Sequence, residues 1–200
     1  MFGKDAKLSG KKIAILATNG FEQSELFDPK SALEAAGADV DVVSLEPGEI
    51  TSWKKEDWGK SIAVDKIISE VFLDEYDALM LPGGVINADK LRNNRKAIEF
   101  VKGFAQAGKP IAAICHAPWI LIETGILKNR KMTSWPSLKT DLINAGAHWV
   151  DEEVVTDEGL VTSRKPEDIP AFNKKMIEEF CEGIHAPMTK VDQTTNEMRY

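Results

Sequence analysis

A chain of 200 residues, 43% hydrophobic and 28% charged, is long enough for one domain with a sizeable core. Its net charge of −7, with no concentrated Lys/Arg stripe, argues against a nucleic-acid surface, and no apolar run is long enough to span a bilayer. Two cysteines make a disulfide scaffold a poor reading; with no apolar signal-peptide core in the first residues, a reducing cytoplasm is the expected compartment.

Residues 1–10 read as a polar lead-in. Residues 12–18 are a first buried strand, ended by Asn19-Gly20. Residues 22–36 carry helical spacing, with Leu26, Leu33 and Ala36 able to share a face and Gly37 as a C-cap. Residues 38–45 form a second strand. Residues 46–62 read as a loop holding Pro47, Gly48, Trp53, Trp58 and Gly59, with a short strand at 62–64. Residues 77–82 are another buried strand, followed at once by Gly83-Gly84. Residues 88–106 are predicted as one helix ending near Gly108. Beyond the strand at 111–114, Gly125 closes a short helix, 131–134 is strand-like, and 137–145 is a helix with a serine cap. Residues 153–163 read as a hairpin around Asp157-Glu-Gly159, and 166–182 as a final helix with Phe172, Met176 and Phe180 on one face.

This alternation predicts an α/β fold with a mostly parallel sheet and helices on both faces. The expected organisation is a polar lead-in over 1–10, a single domain over 11–184 and a polar tail over 185–200.

The segment Pro110-Ile-Ala-Ala-Ile-Cys115-His116-Ala-Pro118 is where chemistry is expected. A buried strand stops at a Cys-His pair, and Pro118 suits a first helical turn. The thiol of Cys115 then sits on an elbow beside a helix N-terminus, whose partial positive charge favours thiolate. His116 is adjacent, although consecutive residues usually point apart. Glu22 opens the helix after the first strand and so reaches the same sheet edge; in its protonated form it can donate to the thiolate. The backbone N–H groups near Gly84 and of His116 are candidate oxyanion donors.

Taken singly, each feature has a plainer explanation: a packed cysteine, a first-turn acid, a glycine turn. Their placement at one sheet edge is what carries the functional reading. Cys181 reads as a packing residue, His148 and His185 as surface or satisfied groups, and Trp53, Trp58 and Trp149 as packing; the cysteines and histidines lack ligand spacing, so no metal site and no cofactor are expected.

At this point the chain resembles the ThiJ/PfpI superfamily, in its PfpI intracellular-protease-like branch. The matching stretches are Asn19-Gly-Phe-Glu22-Gln-Ser-Glu25, Leu81-Pro-Gly-Gly84, Gly108 through Pro118, Ala145-Gly146, and Val161-Thr-Ser-Arg164-Lys-Pro-Glu-Asp168. The resemblance implies a flavodoxin-like three-layer sandwich of the class I glutamine amidotransferase type. It marks Cys115 as the elbow nucleophile and Glu22 as the carboxyl touching it. It implies that His116 completes a triad with an acid from a second subunit, hence a homodimer or higher oligomer. Asp89 matches that acid, although the segment is one residue longer than the pattern and Ala88 stands where relatives carry proline.

The implied function is a stress-related enzyme whose cysteine attacks carbonyl carbons, either repairing methylglyoxal and its adducts on proteins and peptides or cleaving peptides. Carbonyl repair is placed ahead, because no residue reads as peptide-recognising and a small elbow suits a small aldehyde. The alternatives are a cysteine redox sensor or chaperone-like stress protein without turnover, and a relative with an inert site.

Overall fold

The computed structural model describes residues 7–188. Seven strands form the main sheet in the order β10-β11-β7-β6-β1-β2-β5. They are β1 (Lys12–Leu16), β2 (Asp39–Ser44), β5 (Lys66–Ile67), β6 (Ala78–Leu81), β7 (Ile111–Ile114), β10 (Val154–Asp157) and β11 (Leu160–Ser163). All neighbours are parallel except β10, which returns beside β11 as the antiparallel hairpin expected around Asp157-Glu-Gly159.

Side chains on the central strands alternate between two cores, as the period of two in a strand requires. Ala14, Leu16, Leu79, Leu81, Ile111 and Ala113 face one layer. Ile13, Ile15, Ala78, Met80, Ala112 and Ile114 face the other. The first layer is covered by α2 (Val85–Arg92), α3 (Arg95–Gln106), α4 (Pro118–Thr124) and α5 (Lys139–Asn144); Leu91, Val101, Phe104, Leu121 and Leu142 point inward. The second is covered by α1 (Gln23–Ala35) and α6 (Ile169–Glu182), through Leu26, Leu33, Phe172, Met176 and Phe180. This is a doubly wound sandwich, whose strand carboxyl ends form the crevice where such folds place ligands.

Several elements differ from the sequence reading. The loop expected over 46–62 is a hairpin of β3 (Glu49–Lys54) and β4 (Asp57–Ala63), with Trp53 and Trp58 stacked edge to face at 5.5 Å. The glycine-containing β4 lacks the alternation that marks a half-buried strand, and in β3 one of the two buried positions is the polar Ser52. The single helix expected over 88–106 is two, because Asn94 caps α3 by accepting the N–H of Ala97 at 3.1 Å. The helix expected at 137–145 opens instead with a tight 3-10 turn at Pro136–Leu138, and Ser137 does not cap it. The strand-like 131–134 contracts to β8 (Lys131–Met132), paired with β9 (His148–Trp149).

Two chain segments read as polar are tied to the domain. Leu8 is buried and donates its N–H to Ala36 O at 2.9 Å; Met188 is buried and donates to Ala105 O at 2.8 Å. The rest of the expected tail, 189–200, and residues 1–6 lie outside the described residues. Among the described residues no helix is long and apolar enough to cross a membrane.

Candidate active site

Strand β7 ends at Cys115, whose φ of +64° lies in the left-handed region that non-glycine residues rarely occupy. Three backbone bonds over-determine this strained elbow. Cys115 N–H donates to Ser163 O on β11 at 3.0 Å, Trp135 N–H donates to Cys115 O at 2.9 Å, and Ala117 N–H donates to Ile114 O at 3.0 Å. Pro118 then starts α4 at its first turn.

The elbow cancels the alternation that would send consecutive side chains apart. The Sγ of Cys115 and the Nδ1 of His116 are 3.2 Å apart. The sulfur is nearly enclosed, with Cys115 only 6% exposed. The backbone N–H groups of Gly84 and His116, the two expected donors, favour the ionised form of this sulfur.

The carboxyl against the thiol belongs to Glu25, not Glu22. Glu22 is the N-cap of α1: its extended backbone (φ −68°, ψ 128°) turns the side chain back to accept the N–H of Glu25 at 2.9 Å. Glu25 lies one turn further on, on the stripe of Leu26, Pro29 and Leu33 that faces the sheet, and is fully buried. Its Oε2 accepts the N–H of Gly83 at 3.0 Å, while Oε1 has no hydrogen-bond partner among the described residues. Burial, and then the charge of Glu22, push the Glu25 carboxyl up to about 8, so it holds a proton at neutral pH. The sequence signal for this was available: Glu25 sits in register with the apolar positions of α1, where a charged residue is out of place.

The thiol departs from the sequence expectation in direction. Burial, followed by the charge of an ionised Glu25, pushes it well above the ordinary cysteine range, and the N–H groups of Gly84 and His116 only partly oppose this. A protonated Glu25 exerts no such repulsion and can donate to sulfur. The protonation of the pair is therefore coupled.

Gly83 and Gly84 leave room for this contact. A Cβ on Gly83 would overlap the Glu25 carboxyl and stand 2.7 Å from Cys115 Cβ. Gly84 has φ +92°, and a Cβ there would stand 2.7 Å from Glu22 N. Asn87, a residue the sequence reading passed over, fixes this turn from a fully buried position. It accepts the N–H of Thr18 at 2.8 Å and donates to Pro82 O at 2.8 Å and Gly83 O at 3.1 Å.

Within the chain Asp89 is not joined to the site. α2 starts at Val85, directly after the glycines, so Asn87, Ala88 and Leu91 take the inward positions and Asp89 is left exposed. It makes no hydrogen bond or ion pair among the described residues. His116 finds other neighbours: the Trp135 indole stacked at 5.9 Å and 25°, the edge of Trp119 at 6.5 Å, and the Ser137 hydroxyl 3.5 Å from Nε2. Burial lowers the His116 pKa, which keeps the ring neutral and able to accept a proton.

Away from this edge, Cys181 is exposed on α6 rather than packed. His148 is exposed, whereas the Nε2 of His185 lies 3.1 Å from Glu179 Oε1 without a hydrogen bond. With Glu182 these two gather three possible ligand atoms within 4.8 Å, although Glu179 is already engaged by the Gly159 N–H at 2.8 Å.

This arrangement can deliver a thiol, a neutral base and two N–H donors to one small electrophile. Comparison with known proteins points the same way. The DJ-1/PfpI family model matches residues 11–179. "Deglycase PfpI" of Pyrococcus furiosus is 43% identical over 83% of this chain and 97% of its own length. "Protein/nucleic acid deglycase 2" of Escherichia coli is 42% identical over 84% of this chain and 96% of its own. YraA of Bacillus subtilis, named provisionally as a cysteine protease, is 43% identical over 84% of this chain and 96% of its own. Among solved structures, Drosophila melanogaster DJ-1beta superposes with a TM-score of 0.77 at 31% identity, covering 86% of this chain and 90% of that one. The flavodoxin-like sandwich built around an elbow cysteine thus has its counterpart in sequence as well as in shape, and the chain belongs to the DJ-1/PfpI family.

Proposed function

We propose that the protein is a cysteine-dependent enzyme of carbonyl repair, acting on small 2-oxoaldehydes such as methylglyoxal and on their adducts with proteins. The observation that carries this reading is the enclosed pairing of the Cys115 thiol with neutral His116 at 3.2 Å and with the buried Glu25 carboxyl. The similar chains named deglycases support the same substrate class. With Cys115 only 6% exposed, a small aldehyde reaches the sulfur more readily than a peptide backbone does.

The chemistry follows from the geometry. The thiol proton passes to His116 Nδ1 while sulfur bonds to the aldehyde carbon. The π pair of the carbonyl moves to oxygen. Once sulfur has become a neutral thioether, the N–H groups of Gly84 and His116 are free to hold the new oxyanion. Protonated His116 returns the proton and leaves a hemithioacetal. The hydrogen on that carbon then leaves as a proton to His116, the hemithioacetal hydroxyl gives its proton to the neighbouring carbonyl oxygen, and the proton on His116 is returned to that neighbouring carbon, giving the thioester of a 2-hydroxy acid. Water releases the acid and restores the thiol. One carbon is oxidised and its neighbour reduced, so no external redox partner enters. A reducing compartment, the cytoplasm expected from the cysteine usage, keeps Cys115 in its thiol form.

The test is the loss of methylglyoxal in the presence of purified protein. Wild type should consume it and Cys115→Ala should not. Equal consumption by the two would remove the cysteine from the reaction.

A further inference from the structure

The hydrogen bond to Glu25 and the oxyanion donor at Gly84 come from two successive peptide units. Both units are trans. In a trans peptide the C=O and N–H point in opposite directions, so whatever holds the carbonyl also aims the N–H.

The first unit joins Pro82 to Gly83. Its N–H donates to Glu25 Oε2 at 3.0 Å, and its carbonyl accepts from the Asn87 side-chain amide at 2.8 Å. The second unit joins Gly83 to Gly84. Its N–H favours the ionised form of the Cys115 sulfur. Its carbonyl accepts from the same Asn87 Nδ2 at 3.1 Å and from the Glu22 N–H at 3.2 Å. One side-chain amide thus stands behind two N–H groups, the first serving the buried acid and the second the nucleophile.

The turn cannot set these planes by itself. Glycine is the least restricted residue along the backbone. Neither glycine can be stiffened with a side chain, because a Cβ on Gly83 would meet Glu25 and Cys115 and one on Gly84 would meet the backbone of residues 20–22. The orientation has to come from outside the turn, and Asn87 supplies it from the first turn of α2.

Asn87 is itself anchored. It is fully buried, and its Oδ1 accepts the Thr18 N–H, just beyond β1, at 2.8 Å. The planar amide carries both donors and an acceptor, and all of them are used. A carboxylate has no donor to offer, and an apolar side chain would take a hydrogen bond away from three buried backbone groups. Asparagine is a weak helix former, so α2 has no need of it for its own sake.

We propose that Asn87 is a positioning residue of the active site, whose side-chain amide holds the Pro82 and Gly83 carbonyls so that the Gly83 N–H meets the Glu25 carboxyl and the Gly84 N–H meets the oxyanion. The proposal rests on the reading of Cys115 as a nucleophile toward carbonyl carbons. Its effect falls on the transition state rather than on substrate capture, because the oxyanion forms only as sulfur bonds to carbon.

The test compares wild type with Asn87→Ala and Asn87→Ser. The hydroxyl that Asn87→Ser introduces can bond back to the carbonyl four residues earlier, which is that of Gly83 and not that of Pro82. It therefore restores one of the two holds. In Asn87→Ala, kcat for methylglyoxal should fall about thirtyfold while KM stays within about twofold. Cys115 alkylation by iodoacetamide at pH 7, where Glu25 holds its proton, should slow about threefold or more. The infrared carbonyl band of protonated Glu25 should persist to higher pH than in wild type, because the Gly83 N–H no longer favours the ionised form. Asn87→Ser should recover most of the kcat and the alkylation rate yet keep the shifted Glu25 band. Val101→Ala, which opens a cavity under α3 and leaves the turn alone, should lower stability and change none of the three readouts. If Asn87→Ala does not fold, the shifted band with near-normal kcat in Asn87→Ser still decides. Unchanged kcat, alkylation and band in Asn87→Ala, equal losses of kcat in the two variants, or an unshifted band in Asn87→Ser would overturn the proposal. Absence of methylglyoxal turnover in wild type would instead count against the carbonyl-repair reading, and the alkylation rates and the Glu25 band would still decide how Asn87 acts.

Discussion

Glu25 and Cys115 meet across Gly83, a position with no room for a Cβ, and the two groups cannot both be ionised at low cost. Burial raises the Glu25 carboxyl from 4.5 to about 8, and the charge it acquires above that pH raises the thiol further. The first consequence concerns stability. A carboxyl whose pKa is higher in the folded state binds more protons there than in the unfolded chain between pH 4.5 and 8. Stability therefore falls as pH rises through that window. Relative to wild type, Glu25→Gln should gain on the order of 4 kcal/mol between pH 5 and pH 9. Urea unfolding midpoints of the two proteins at both pH values provide the check, and parallel behaviour at the two pH values would contradict it.

Reactivity should show the same coupling. In wild type, Glu25 ionises as the thiol does, so the alkylation rate of Cys115 should climb over a broad pH range. In Glu25→Gln the repulsive charge is gone, and the amide can still donate to sulfur. The profile should collapse to one step with a lower midpoint. A midpoint at or above that of wild type would show that Glu25 does not govern the thiol.

The glycine turn permits the contact. Gly83→Ala would drive a methyl group into the Glu25 carboxyl, and Gly84→Ala would place a side chain at φ +92° against the backbone of residues 20–22. Each should cost about 2 kcal/mol or more of stability. Gly83→Ala should also change the alkylation profile of Cys115, because it separates the two groups. Thermal unfolding and iodoacetamide labelling read the two effects separately.

His116 sets the acid side of the activity. Burial lowers its pKa from 6.5, and a neutral imidazole is the form that accepts the thiol proton. Turnover of methylglyoxal should therefore persist below pH 6.5 and fail only under more acidic conditions. An acid limb above 6.5 would mean that a carboxylate faces the ring during catalysis.

The central sheet and the cysteine elbow were legible in the sequence because they are local. A run of small and β-branched residues, a Cys-His pair and a proline at a first helical turn state their own geometry. The carboxyl partner was misread by one helical turn. Glu22 carries the signature of a helix start, whereas the argument needed the inward stripe through Glu25, Leu26, Pro29 and Leu33. The hairpin of β3 and β4 was hidden because the inward positions of β3 pair Ile50 with the polar Ser52, and β4 has no buried position at all. The neighbours of His116 were out of reach for a different reason. Trp135 and Ser137 lie about twenty residues along the chain and come to the elbow through the pairing of β8 with β9, the bond from Thr133 N–H to Thr162 Oγ1 and the bond from Trp135 N–H to Cys115 O. The pattern around Asp89 was visible; α2 begins earlier than expected and leaves Asp89 on the surface of the single chain.

The most direct test is infrared difference spectroscopy of wild type against Glu25→Gln across a pH series. A protonated buried carboxyl has a carbonyl stretch that a carboxylate lacks. The wild-type spectrum should carry that band at pH 6.5 and lose it by pH 9, matching a Glu25 pKa of about 8. A carboxylate signature from Glu25 already at pH 6.5 would contradict the neutral, sulfur-facing Glu25 on which the account depends.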